Sequence, residues 1–328
     1  MNIFSKILVI LLFLGASNTL KSQEKHWVDI VMATYPSDFD SFESLIDRID
    51  YDFKTPEHKV RALYLWLATH IRYDSYNQVT KPAAEWIVYS SEADRQRKKK
   101  ALLDARLNDY FIQKKALCKG YSGLFKKGCE LMDIPVQSIH GFSKVQVSDI
   151  DNSMRYKNHS WNTVWLDGRW NFIDVTWSAG YEDPTTGRWI ARLNNYFYRT
   201  PPDIFITSHY PINPIWQLLL YPISEAQFFA EPIYYPAYFD QNYSLEQSQK
   251  GNLRITNNTI RLAFNSLPED TPMYYSFDGQ TSIRPVKSVL KNNKNNYEVI
   301  IVAKKGKYKQ LTLYTEFTPI LDFKIATN

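Results

Sequence analysis

Cysteine is scarce in this sequence: Cys118 and Cys129 are the only two in 328 residues. Two would suffice for one disulfide, but they stand eleven positions apart. On a single helix that spacing separates them by ~16 Å, against the roughly 7 Å between Cα atoms that a disulfide tolerates. At least one thiol is therefore expected to be free. Metal-ligand spacings such as HExxH or CxxC are missing, so no metal or cofactor site is read from the sequence. A phosphate-cradling glycine loop and a GxSxG elbow are missing as well. The formal net charge is only +5, which gives no argument for nucleic acid as a partner. No internal repeat or low-complexity segment occurs, and no apolar run reaches the length of a membrane span.

What is present begins with Lys6 and the apolar run Ile7 to Leu14, followed by the small residues Gly15, Ala16 and Ser17. That order is the pattern of a signal peptide, here assigned to residues 1–22, with cleavage between Ala16 and Gln23. A retained membrane anchor is the other reading, and the shortness of the run counts against it. No cysteine follows the run, which excludes a lipid on a mature N-terminal cysteine. The chain is accordingly expected to be exported, periplasmic or extracellular, without stable membrane insertion after the signal is removed. Export makes a free thiol a feature in need of a reason.

The length favours two domains, and an aromatic content of 15% favours a large β component. Phe42, Leu45, Ile46 and Ile49 recur at helical spacing. A second helix is expected to start at Thr55-Pro56, an N-cap followed by proline at the first helical position. The basic run Arg95 to Lys100 lacks interleaved aromatics and reads as a solvated face rather than an anion-binding surface. A third helix is expected to begin at Cys118, with Ser122, Phe125, Cys129 and Met132 along one buried stripe, and Val136 to Val147 as strand. Two aromatic and β-branched runs flank Asp167-Gly168, which predicts a hairpin over residues 158–177. From Tyr243 onward, alternating segments at 259–264, 297–302 and 311–314 predict a separate, small Ig-like β-sandwich over 243–328.

Cys118 carries the first chemical signal. A thiolate is the reactive form of cysteine, and the positive end of a helix dipole favours it. Lys114, Lys115 and Lys119 flank Cys118, and Gly120 and Gly123 admit close approach of backbone or substrate. Cys129 falls mid-helix among apolar positions and reads as an inert core thiol. The hairpin carries the second signal. With Asp167-Gly168 at the turn, Leu166 faces Arg169, His159 faces Thr176 and Trp161 faces Asp174. His159 and Asp174 then share one side of the sheet as diagonal neighbours, ~7–8 Å apart at Cα. A carboxylate on one imidazole nitrogen fixes the tautomer and leaves the other as base, and a thiol at that nitrogen completes a Cys–His–Asp relay. The remaining histidines, His26, His58, His70, His140 and His209, show no such partner pattern; His209 falls in a proline-rich loop.

These same blocks, Leu117-Cys118-Lys119-Gly120-Tyr121-Ser122, His159-Ser160-Trp161-Asn162, Asp167-Gly168-Arg169-Trp170 and Ile173-Asp174-Val175-Thr176-Trp177, resemble the transglutaminase-like superfamily. The branch most resembled is that of bacterial relatives of the kyphoscoliosis peptidase. Lys59 to Trp66, Ile71 to Asp74, Tyr196 to Pro202 and Trp216 to Leu219 extend the likeness, which covers about residues 25 to 230. The resemblance implies an α+β, papain-like core over residues 25–235, with the nucleophile heading a central helix packed on an antiparallel sheet. It implies Cys118, His159 and Asp174 as catalytic residues, no cofactor, and a protein or peptide as substrate. The backbone N–H of Cys118 is the candidate oxyanion donor, with Gln113 and Trp161 as side-chain candidates for oxyanion or substrate contact. The competing reading is a catalytically inactive surface module that presents its aromatic loops and β domain to a protein or glycan.

Overall fold

A computed structural model describes residues 27–74, 87–153, 158–183, 186–268, 272–291, 296–304 and 307–326. The chain divides into two compact units, Met1–Ile139 with Ser160–Arg199, and His140–His159 with Thr200–Asn328. The signal-peptide assignment lies outside the described residues. Among the described residues no helix is long and apolar enough to cross a membrane.

The core of the first unit draws its residues from helices and from strands. Helix α1 spans Phe42–Asp52; Ser41 and Ser44 cap it reciprocally, and its buried residues are the four predicted from spacing. Helix α2 spans Pro56–His70, with Thr55 accepting from the His58 N–H. Every residue from Val60 to Ala68 is buried, so α2 is wrapped all round rather than on one face. That run includes Arg61, only 2% exposed. A buried guanidinium needs partners for its donors. Its Nε and Nη2 donate to Asp29 at 2.8 and 2.7 Å, and its Nη1 to Asn195 at 2.8 Å.

Strand β1, Arg72–Tyr73, pairs in parallel with β2, Lys115–Ala116. Between them helix α3 spans Glu92–Gln113 and ends at Lys114, whose φ of 53° stops the helix. The basic run lies on α3, where Arg97 and Lys98 pair with Asp94, and Arg95 with Glu92, one turn away. Only Leu107, Tyr110 and Phe111 of α3 are buried. Helix α4 then spans Cys118–Leu131. Glycine lowers helix propensity, but here it permits contact. A Cβ at Gly128 would lie 2.6 Å from Leu63 on α2, and one at Gly120 would lie 2.7 Å from Ala116. Gly120 and Gly123 thus accommodate side chains of the same unit, against the expectation of room for substrate.

Strands β3 (Val136–Ser143), β4 (His159–Leu166) and β5 (Arg169–Ile173) follow. Asp167 and Gly168 both take positive φ, 53° and 73°, as a type I′ turn requires. The register is the predicted one, Leu166 opposite Arg169 and Asn162 opposite Ile173. The predicted second strand, however, stops at Ile173. Asp174 instead caps the short helix α5, Val175–Ala179, its Oδ1 accepting from the Trp177 N–H at 3.1 Å. Asp is a strong N-cap, and its side chain competes with the sheet ladder for the backbone. Thr176 therefore belongs to a helix, and the predicted facing pairs His159–Thr176 and Trp161–Asp174 are not part of the ladder.

In the second unit, Pro202–Phe205 forms a short helical turn and β6, His209–Pro211, pairs with the end of β3, Ser143 opposite His209. Phe142, Ile206, Tyr210, Phe228 and Phe229 form a small aromatic-rich cluster. Toward the C-terminus, β7 (Thr259–Ser266) and β9 (Ser288–Lys291) both pair with β10 (Tyr297–Val302). Strands β8 (Met273–Phe277) and β12 (Thr318–Ile325) both pair with β11 (Gln310–Thr315). The two sheets share one apolar cluster: Ile260, Leu262 and Phe264 from the first, Leu311, Leu313 and Phe323 from the second. Alternation of buried and accessible positions along β7 is the period-2 pattern that the sequence shows.

Lys144, just past β3, is a buried cation of this unit, 2% exposed. Its Nζ donates to the carbonyls of Phe228 and Glu231, both at 2.8 Å. Burial pushes its pKa down to about 7, against the opposing pull of Glu231, Asp149 and Asp151. Between that value and the ordinary lysine range, the unfolded chain holds a proton that the folded chain has released. Stability contributed through Lys144 is thus lowest below pH 7 and rises with pH across that window. Lys144→Met is expected to remove a rise of about 1.4 kcal/mol per pH unit at its steepest. Urea unfolding of both proteins between about pH 6 and pH 10 reads the difference; parallel curves would contradict it.

Candidate functional site

Cys118 is the first residue of α4 and is partly exposed, whereas Cys129 is fully buried and its thiol is driven far up by burial. Both cysteines are free. Leu117, at the N-cap, makes no side-chain cap bond, so the start of α4 is fixed by other means. The Arg72 N–H donates to the Lys114 carbonyl at 2.8 Å and the Asp74 N–H to the Ala116 carbonyl at 3.0 Å. The β1–β2 ladder thus seats the turn from which the helix springs. The Gly120 and Tyr121 N–H groups both return to the Leu117 carbonyl, at 2.8 and 3.0 Å.

One turn into α4, Ser122 ties the helix to the sheet. Its hydroxyl donates to the Trp161 carbonyl at 3.1 Å, and the Asn162 side-chain amide donates to the Ser122 carbonyl at 3.1 Å. Asp174 is fully buried and held at three points. Its N–H donates to the Phe197 carbonyl at 3.0 Å, its carbonyl accepts from the Ser178 hydroxyl at 2.7 Å, and its Oδ1 caps α5. Tyr73 feels both Cys118 and Asp174: burial first, then the Cys118 charge, with Asp174 further down, raise its phenol to about 12. Tyr73 stacks on Trp189 with ring centroids 5.2 Å apart.

His159 opens β4 and is 6% exposed. The residue before it, Asn158, clasps the end of β3, accepting from the Ser143 N–H at 2.7 Å and donating to the Ser143 carbonyl at 3.0 Å. Ser143 is also the register partner of His209. The His159 and His209 rings consequently lie 5.3 Å apart. His209 is fully buried, stacked on Phe205 at 4.1 Å, with its Nδ1 2.8 Å from the Ser208 hydroxyl.

Of the two residues named from the hairpin, His159 opens β4, and Asp174 is an end-of-strand cap outside the ladder. His209 lies beside His159, although the sequence reading set it aside as a loop histidine. No local signal marks it: the strand has three residues and ends in a proline, and its pairing to Ser143 is non-local. Of the other named residues, Gln113 is the exposed last residue of α3, and Trp161 is a buried member of β4. His70 stacks on Trp66, and its Nδ1 lies 3.0 Å from the Trp66 carbonyl, an arrangement internal to α2.

Residues 43–175 match the family model described as the transglutaminase-like superfamily. The chain is similar to the kyphoscoliosis peptidase of Homo sapiens, 32% identical over 187 residues that cover 57% of this chain and 25% of that protein. It is similar to the Lim and transglutaminase domain protein ltd-1 of Caenorhabditis elegans, 30% identical over 138 residues, 38% of this chain and 19% of that protein. A solved structure titled as that of a TGase overlaps 41% of this chain and 30% of its own at 20% identity, with a TM-score of 0.27, too low to bear on the fold. The chain thus spans about a quarter or less of the curated relatives' length.

Proposed function

Given that residues 43–175 belong to the transglutaminase-like superfamily, we propose that the protein is an exported cysteine acyl-transfer enzyme acting on amides of proteins or peptides. Cys118 is its nucleophile, His159 its base and Asp174 the acid that orients the base. The observation that carries the reading is a free, partly exposed thiol at the first residue of a helix that Ser122 ties to the strand opened by His159.

His159 takes the thiol proton as the sulfur attacks the amide carbonyl. The backbone N–H of Cys118 stabilises the oxyanion. The C–N bond then breaks, His159 returns the proton to the leaving amine, and an acyl-thioester remains on Cys118. Water resolves it to an acid, or a second amine resolves it to a new amide, and the thiol is regenerated. A negative Asp174 stabilises the imidazolium that forms midway. Export is supported by Lys6 and the apolar run behind it. The two C-terminal sheets are read as an appended Ig-like β-sandwich.

A thiol-reactive amide probe tests the assignment. Near neutral pH it is expected to label Cys118 within minutes and leave Cys129 unmodified, as read by peptide mass spectrometry. His159→Ala is expected to slow labelling by roughly 10²-fold or more, the usual scale of general-base assistance. Equal labelling of the two proteins would sink the base assignment.

A further inference from the structure

We infer that the loop at residues 212–222, within the second unit, is a membrane-contact site. It dips its apolar side chains into the interfacial layer of a lipid bilayer, and the protein rests on that surface without crossing it. The inference does not rest on acyl transfer.

The sequence supplies the first observation. Between Asp203 and Glu225 lie twenty-one residues without an aspartate, glutamate, lysine or arginine, in a chain of which 22% is charged. The histidine among them, His209, is fully buried. The second observation is exposure. Ile212, Ile215, Leu220 and Tyr221 all present more than half of their surface to solvent, Leu220 as much as 85%. Single exposed apolar residues are ordinary, but four large ones within ten positions mark a surface that meets something. Nor are they core residues that failed to pack. Leu219 and Ile223 of the same loop turn inward against the aromatic cluster of Phe142, Tyr210, Phe228 and Phe229.

Rigidity is the third observation. Buried Gln217 clasps the loop: its Nε2 donates to the Ile223 carbonyl at 2.9 Å, and its Oε1 accepts from the Ile223 N–H at 2.8 Å. Asn213 Oδ1 accepts from the Ile215 N–H at 3.2 Å and so starts the short helical turn Pro214–Gln217. The Ile212 N–H donates to the His140 carbonyl at 3.1 Å. A loop held in this way displays its four outward side chains with little ordering left to do on docking.

Size and charge decide what the loop meets. A stable protein partner, a second copy of this chain included, covers roughly 20–30 residues a side and has a polar rim. Four side chains in a charge-free stretch fall well short of that. A bilayer needs only shallow burial of apolar side chains, with tryptophan and tyrosine at the headgroup level. Trp216 and Tyr221 are residues of this loop. Without charge the loop gains nothing from anionic lipid, so neutral phosphatidylcholine suffices and salt has little effect.

The test uses the full chain carrying Cys118→Ala and Leu220→Cys, labelled at residue 220 with an environment-sensitive fluorophore; fully buried Cys129 does not compete for the label. On addition of phosphatidylcholine vesicles the emission is expected to shift to the blue and to be quenched by nitroxide groups on the acyl chains. The same label at Lys99→Cys, an exposed position of α3, is expected to show neither change, which controls for attachment through the N-terminal apolar run. Adding Ile215→Asp is expected to weaken the vesicle response of the residue-220 label at least about tenfold. Ile215→Ser serves as a milder second variant, and circular dichroism verifies that each is folded. Sodium chloride raised from about 0.05 to about 0.5 M is expected to leave the response unchanged. No response at residue 220, or one that needs anionic lipid and disappears with salt, overturns the proposal. So does a spectral shift that grows with protein concentration in the absence of vesicles, which would make a second copy the occupant.

Discussion

Cys118→Ala is expected to abolish both amide hydrolysis and amine transfer, with a loss of about 10⁴-fold or more in kcat, as removal of a covalent nucleophile usually brings. The fold should survive. Cys118 is partly exposed at the end of α4, and the elements that seat that end act through the backbone of residues 72–74 and 114–116, not through the sulfur. Two assays check it: release of amine from a donor peptide, and incorporation of a labelled amine into the same peptide. The same experiment on Cys129→Ala gives the contrast. That thiol sits on the buried face of α4, in the core, so its loss should cost about 1–3 kcal/mol of stability through the cavity and leave turnover within a fewfold of the parent. A Cys118→Ala protein with full activity would leave the enzyme reading without a nucleophile.

The second large effect is expected at Asp174. Asp174→Asn keeps the shape of the side chain and an oxygen that can still accept from the Trp177 N–H, because Asn caps helices about as well as Asp. Stability should therefore change by about 1 kcal/mol or less. Turnover should fall by roughly 10³–10⁴-fold, since the substitution removes the charge that steadies the imidazolium and permits the wrong tautomer. The separation of the two readouts makes the variant informative. A merely structural Asp174 would lose stability in Asp174→Ala and keep its rate in Asp174→Asn. A catalytic one shows the reverse split, with the rate lost in both. Thermal unfolding beside kcat for the two variants distinguishes the cases.

Much of this was readable in the chain before any coordinates. The Asp167-Gly168 turn set the hairpin register, because only a tight turn with two positive φ values suits that pair of residues between two strands. Thr55-Pro56 and the spacing of Phe42, Leu45, Ile46 and Ile49 placed α1 and α2 for equally local reasons. The apolar alternation of 259–264 likewise marked a strand whose one face is buried. What was not readable is non-local. Asp174 looked like the sixth residue after a turn in a continuing strand; that it caps a helix depends on Trp177 and Ser178 folding back on it. His209 looked like a loop residue because its three-residue strand gains its meaning from Ser143, sixty-six positions earlier. Gly120 and Gly123 looked like openings, and the atoms that fill them, from Ala116 and Leu107, could not be assigned from spacing alone.

The two-residue ladder between β1 and β2 has a bearing on how this chain can vary. The thiol's starting point is set by peptide groups: the N–H of Arg72 and of Asp74, and the carbonyls of Lys114 and Ala116. Every residue but proline supplies such a donor, and every residue supplies such an acceptor. Drift in the identity of position 115 therefore leaves the address of the Cys118 thiol intact, whereas a proline at 72 or 74, which deletes a donor, would unseat it from a distance in sequence.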